Sequence, residues 1–318
     1  MSFVDLHCDT IMGLMEAGAD VGLQSNQLSV DVGKLRAGGS LAQFFALFVD
    51  MEDCQNPLEH CLKMADRFYI EVDRNSDHLA LALNYQDVER NSAANKISAF
   101  LTIEEGGVLK GDLANLRNFY RLGVRLITLT WNYPNELGFP NSKGEYRGQG
   151  LTQFGCEVVG EMNRLGMIVD VSHLSDQGFY DVARVSTKPF VASHSNARAV
   201  TSHSRNLTDD MIKMLAEKGG VIGINFARPF LGSADISRIE DMVHHIKHIA
   251  AVGGIDTVAI GSDFDGISPE LEIKDFGEMG KLVSALEQAG FSGAQIDKVC
   301  MTNALRIIKE CLSDDNVK

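Results

Sequence analysis

The chain has no excess of basic residues: 29 lysines and arginines stand against 43 aspartates and glutamates, for a net charge of −14. Nucleic acid calls for a basic footprint, so this balance argues against a nucleic-acid partner and gives no reason to expect binding to an anionic membrane surface. No apolar stretch approaches the roughly 20 residues that a bilayer crossing requires. The start, MSFVDLHCDT, lacks a basic segment followed by an apolar one, so no secretory signal is expected and the expected compartment is the cytoplasm. The six cysteines are scattered and none sits in a CxxC pair, which in that compartment reads as reduced thiols rather than a disulfide framework. There is no repeat of fixed period, no low-complexity tract and no Pro- or Ser-rich linker, so one domain over 1–318 is expected. A chain of this length can bury most of the surface its unfolded form exposes.

What is there is a recurring unit: a short apolar run, then an amphipathic stretch. The runs are FVDLH (3–7), LAQFFALFV (41–49), LALAL (79–83), ISAFLTIE (97–104), VRLITLT (124–130), MIVDVSH (167–173), PFVASHS (189–195), VIGINF (221–226) and TVAIGSD (257–263). They are nearly continuously apolar rather than alternating, as suits parallel strands covered on both faces. Between them lie helical patterns. SDQGFYDVARVS opens on a capping Ser175 or Asp176, and LTDDMIKMLAEKGG is capped by Thr208 and stopped by Gly219-Gly220. About eight strand-helix units in one undivided chain predict an α/β fold, a (β/α)8 TIM-type barrel. The alternative is a doubly wound sheet, against which the lack of a GxGxxG turn after any early strand counts.

The chemically capable residues share a position. His7 and Asp9 follow the first run, Glu104 and Glu105 follow ISAFLTI, His173 ends MIVDVS, His194 ends PFVAS and Asp263 ends TVAIGS. In a (β/α)8 barrel the carboxyl ends of the strands converge on one face, where the active site lies. Three histidines with several carboxylates make a mixed nitrogen and oxygen donor set suited to zinc or a similar divalent ion. They outnumber the needs of one ion, which points to two ions bridged by a shared carboxylate. Alternation along a strand puts His7 and Asp9 on one side and Cys8 on the other. Cys8 is therefore read as a buried structural thiol, not as a nucleophile activated by His7. His244, His245 and His248 have the spacing of a metalloprotease helix but lack its glutamate, and the apolar stripe of that helix lies elsewhere. They are expected on its flank or outer face. His60 and His78 read as structural, and His203, in TSHSRN, stays open. DFDG (263–266) looks like a calcium loop but has no bidentate glutamate at the required spacing.

DLHCDT, TIEEGG, VDVSHLSD, ASHSNAR, SRNLTDDMI and IGSDFDG occur in that order, and together they resemble the membrane (renal) dipeptidase family from about residue 3 to MTNALRII near 301–308. The resemblance implies an amidohydrolase-related (β/α)8 barrel with two zinc ions per chain. It implies hydrolysis of dipeptides, typically tolerating a D-residue at the C-terminal position, and a homodimer. Carried over by residue, His7 and Asp9 hold one zinc, Glu105 bridges both, and His173 and His194 hold the second. Asp263 takes the proton-transfer position and Arg205 the free carboxylate of the dipeptide. Trp131 stands after TLT where animal members have a histidine that stabilises the oxyanion. A metal-bridging hydroxide is the expected nucleophile. Two other readings remain open: a different binuclear barrel hydrolase acting on a cyclic amide, lactone or phosphoester, and a non-catalytic metal-binding protein.

Overall fold

A computed structural model of the protein describes residues 1–312. Each of the nine apolar runs contributes a strand: β1 (Phe3–Cys8), β2 (Ser40–Phe48), β3 (Leu79–Leu81), β4 (Ile97–Glu104), β5 (Val124–Thr128), β6 (Ile168–Asp170), β7 (Val191–Ala192), β8 (Val221–Ile224) and β9 (Val258–Ile260). All their pairings are parallel. Eight of the strands close into a ring in the order β1-β2-β4-β5-β6-β7-β8-β9, with β9 returning to β1. β3 pairs with Ile97–Ala99 at the start of β4 and lies outside the ring, while β5 takes the same edge of β4 from Leu101 onward. The LALAL run is thus an accessory strand, and the architecture is a (β/α)8 barrel rather than a doubly wound sheet.

The two apolar faces of each strand bury against different things. Inside the barrel lie Val4, Leu6, Ala42, Phe44, Phe100, Leu126, Ile168, Val191, Val221 and Ala259. Phe44 and Phe100 stack there with ring centroids 4.5 Å apart. Ala304, Ile307, Ile308 and Cys311 of the helix Asn303–Cys311 join this inner cluster and close the amino end of the barrel. The opposite faces, such as Phe45, Leu47, Leu101 and Ile103, pack against the helical layer. With the amino end plugged, the carboxyl ends are left for chemistry.

Helix boundaries follow local hydrogen-bond needs. Ser175 caps Asp176–Val185 by accepting from Gly178 N, and Thr208 caps Asp209–Glu217 by accepting from Met211 N. Gly219 follows at φ 73°, a left-handed stop that glycine adopts without strain. One expectation needs correcting. His245, in the helix Ile239–Gly253, is fully buried rather than on the outer face. Its Nδ1 accepts from Ala197 N at 3.0 Å and its Nε2 donates to Leu231 O at 3.0 Å. The ring thus ties the backbone of Ala197 to that of Leu231, a role invisible in the helical pattern. His244 is exposed and His248 is part-buried against Asp209.

Candidate metal centre

Six buried side chains meet at the carboxyl end of the barrel. Glu104, the last residue of β4, stands in the middle. Its Oε2 lies 3.2 Å from His7 Nε2. Its Oε1 lies 3.0 Å from His173 Nε2 and 3.5 Å from His194 Nε2. Asp9 Oδ2 is 3.3 Å from His7 Nε2, and Asp263 Oδ1 is 3.7 Å from it. The atoms fall into three overlapping donor groups: two donor sets that share Glu104, His7 with Asp9 and His173 with His194, and a third group of His7, His194 and Asp263. The structure therefore brings together His7, Asp9, His173, His194 and Asp263 from four separate segments.

It does not bring Glu105 with them. Glu105 sits at φ 102° and turns its carboxylate away from the cluster. There it accepts from Gly107 N at 2.6 Å, Trp131 N at 2.8 Å and the amide of Asn135. The reason is strand parity. Phe100 is in the barrel interior, so residues two and four further on, Thr102 and Glu104, face inward, while Ile103 and Glu105 do not. Burial pushes the Glu105 carboxyl up to about 7, despite the three donors around it.

β1 reaches the centre by an irregularity. Asp5 pairs with Gln43 and Cys8 with Phe45, so three steps of β1 match two of β2. This bulge lets His7 follow Leu6 toward the axis and leaves Cys8 in the outer core. Asp9 lies past the strand end, at the N-cap of the helix Thr10–Ala17. Cys8 is fully buried, and burial first, then Asp5, holds its thiol well above the usual range, which removes it as a nucleophile. Gly266 is required where it stands: a Cβ there would lie 2.1 Å from Asp9 Oδ2. Asp263, at φ 63°, has its Oδ2 fixed by the Asn225 amide at 2.8 Å. Its partner in DFDG, Asp265, accepts from Thr10 and from Ser29 N and so pins a loop rather than a calcium ion.

The electrostatics favour cations. Burial lowers His194 well below its ordinary value, with His7 adding to the effect, and burial followed by Arg205 lowers His173. Burial acts the same way on His7, but Glu104 and Asp9 outweigh it and hold the ring well above its ordinary value. Glu104 is held well below the usual carboxylate range because the three histidines outweigh its burial. Burial raises Asp9 to about 8 against the pull of His7, with Glu104 adding to the rise. Asp9 Oδ1 is buried without a partner, and the Nε2 atoms of His173 and His194 face each other at 3.0 Å. Three imidazoles and three carboxylates converging in a buried space fit divalent ions such as zinc.

A cavity of about 600 Å³ opens above the cluster, lined among others by Phe48, Trp131, Arg205, Phe230 and Asp263. Arg205 is buried, donates to Ser172 O and to His194 O, and lies 5.3 Å over the Phe230 ring; its Nε has no partner. Trp131 packs edge-on against Phe48 at 4.7 Å and lies 6.3 Å from the His173 ring. His203 lines the same cavity and accepts from Arg205 N at 3.1 Å.

A closed parallel barrel with histidines and carboxylates gathered at its carboxyl end defines an amidohydrolase-like metallohydrolase. Comparison with known proteins narrows this. The model of the membrane dipeptidase family, peptidase family M19, matches residues 1–316, and the chain belongs to that family of peptide-bond hydrolases. It is 33% identical to a dipeptidase of Schizosaccharomyces pombe, over 93% of this chain and 75% of that one. It is 32% identical to a dipeptidase of Claviceps purpurea, over 88% and 69%. Among solved structures, a Rhodobacter sphaeroides metallopeptidase liganded with a phosphinate mimic of L-Ala-D-Ala superposes with a TM-score of 0.90 at 28% identity, over 98% of this chain and 99% of that one.

Proposed function

We propose that the protein is a binuclear zinc dipeptidase that cleaves dipeptides bearing a free C-terminal carboxylate, including L-Xaa-D-Xaa pairs. The observation that carries this reading is Glu104, whose two oxygens each face a separate donor set. In this reading Glu104 takes the bridging role expected of Glu105. His7 and Asp9 hold one ion, and His173 and His194 the other. Ions held there supply Lewis acidity toward the scissile carbonyl and lower the pKa of a bound water.

The chain's own residues supply the rest. Asp263 lines the cavity beside the cluster, with one oxygen anchored by Asn225 and the other directed toward His7. It takes the proton released as water attacks the carbonyl carbon and returns it to the leaving nitrogen as the C–N bond breaks. The partner-free Nε of Arg205 receives the substrate carboxylate, and Phe230 holds the guanidinium in place. Trp131, Phe48 and Phe230 give the cavity an apolar wall for the substrate side chains. Trp131 brings one N–H donor where the family resemblance expects an imidazole. The ligand of the Rhodobacter relative supports the L-D preference.

The test is a panel of L-L and L-D dipeptides assayed with and without chelator, alongside Asp263→Asn and Arg205→Ala. Turnover is expected to require metal and to collapse in Asp263→Asn. Arg205→Ala should lose dipeptides far more than a neutral ester. Wild-type protein that holds two zinc ions and cleaves no dipeptide overturns the reading, as does an Asp263→Asn enzyme with near wild-type turnover.

A further inference from the structure

Asp170, the last residue of β6, is fully buried and does not line the cavity. Five donors converge on it. Thr128 Oγ1 and Ser193 Oγ each reach Oδ2 at 2.6 Å. Ser172 N at 3.1 Å, Ser172 Oγ at 2.7 Å and Ser193 N at 2.8 Å reach Oδ1. Ser193 Oγ also lies 2.8 Å from His194 Nδ1. A serine hydroxyl has one hydrogen. Given to the Asp170 carboxylate, that hydrogen leaves only lone pairs toward the imidazole, so Nδ1 must carry the ring hydrogen. Nε2 is then bare and faces Glu104 Oε1 and His173 Nε2. The backbone N of His194 donates to Ser172 Oγ at 3.1 Å, which ties the ligand's main chain to the same carboxylate.

We propose that Ser193 and Asp170 are positioning residues that hold His194 as its Nδ1–H tautomer and so aim the Nε2 lone pair into the metal centre. Outer partners of this kind fix ring orientation at metal sites and typically change metal affinity 10- to 100-fold when removed. The other flank of the centre supplies a contrast. Asp5 is equally buried and accepts from Ser262 and Gln43, but it reaches no imidazole, and His7 Nδ1 has no partner. The inference rests on the metal reading only for its affinity consequence, because the tautomer exists without an ion.

The experiment reads both. In metal-free protein labelled with ¹⁵N-histidine, NMR reports which nitrogen of His194 carries hydrogen, with the signal assigned from its loss in His194→Gln. Zinc affinity is measured by chelator competition. Wild type is expected to show Nδ1–H. In Asp170→Asn the side-chain oxygen must stay with the two backbone N–H donors, so the amide NH₂ faces Ser193 Oγ. The hydroxyl hydrogen then turns to His194, the ring shifts toward Nε2–H, and zinc binding weakens about 10- to 100-fold. Ser193→Ala is expected to lose the tautomer preference, and Ser193→Thr, which restores a hydroxyl, to recover it. Asp5→Asn is expected to leave His194 unchanged.

Wild type in the Nε2–H form overturns the proposal. So does a folded Ser193→Ala protein that keeps both tautomer and affinity, or an Asp5→Asn protein that shifts His194 as far as Asp170→Asn does. Wild-type protein without zinc affinity would instead remove the metal reading, while the tautomer result still decides this one.

Discussion

Replacing Glu104 by glutamine keeps its shape and removes one negative charge from the middle of the cluster. Its oxygens lie 3.0 to 3.5 Å from three imidazole nitrogens. It is also the only carboxylate present in two of the three donor groups among the described residues. A unit charge about 4 Å from a cation contributes roughly 4 kcal/mol at an effective dielectric near 20, or about a thousandfold in affinity. Glu104→Gln is therefore expected to lose zinc from both donor sets, with affinity down on the order of a thousandfold. Glu105→Gln is the matched control. Its carboxylate meets three donors, and an amide nitrogen in that position opposes at least one of them. Stability is expected to fall by about 1–3 kcal/mol with zinc retained. Metal content after dialysis, chelator competition and urea unfolding separate the two variants. Glu104→Gln binding zinc within tenfold of wild type, or Glu105→Gln losing as much zinc as Glu104→Gln, would refute the placement of the bridge.

Three further expectations follow from the packing. Gly266→Ala sets a Cβ 2.1 Å from Asp9 Oδ2, so zinc titration should show weakened binding at the His7 and Asp9 donors, with the melting temperature changing little. Phe100→Ala removes half of a buried stack and should cost about 3–5 kcal/mol in urea unfolding; a loss below about 1 kcal/mol would mean that the barrel interior collapses around the gap. His245 is buried and neutral, its ring lowered to about 4, mainly by burial. A lowered folded-state value means that the unfolded chain takes up the proton first, so this contribution is present above about 6.5 and lost as pH falls from there toward 4. The loss is of order 3 kcal/mol, and His245→Gln should flatten that part of the pH-stability curve.

Much of the barrel was legible in the residue order. Continuous apolar runs signal parallel strands buried on both faces, and all nine runs form strands. The caps at Ser175 and Thr208 were legible because capping is local: one side chain reaches a backbone N–H three residues on. What the runs did not reveal is which of them closes the ring. β3 is as apolar as its neighbours and is left outside because β5 takes over the same edge of β4 two residues later.

The candidate site divides along the same line. That His7, Asp9, His173, His194 and Asp263 stand at strand ends is a property of the sequence, since position along a strand is a matter of counting. The choice between Glu104 and Glu105 was not available there. One face of ISAFLTIE is wholly apolar (Ile97, Ala99, Leu101, Ile103) and the other mixed (Ser98, Phe100, Thr102, Glu104), so alternation separates Glu104 from Glu105 but does not say which face lines the barrel and which meets the helices. The pairing of β4 with β2 and β5 settles it. Asp170, Ser193 and His245 were equally hidden, because a buried polar side chain is explained by the groups folding brings to it and not by its neighbours in the chain. The sequence determined the kind of barrel, the family and the end of the barrel where chemistry gathers. Only the tertiary structure decided which carboxylate stands between the two donor sets and which side chains surround the His194 imidazole, because both depend on side-chain direction across strands far apart in sequence.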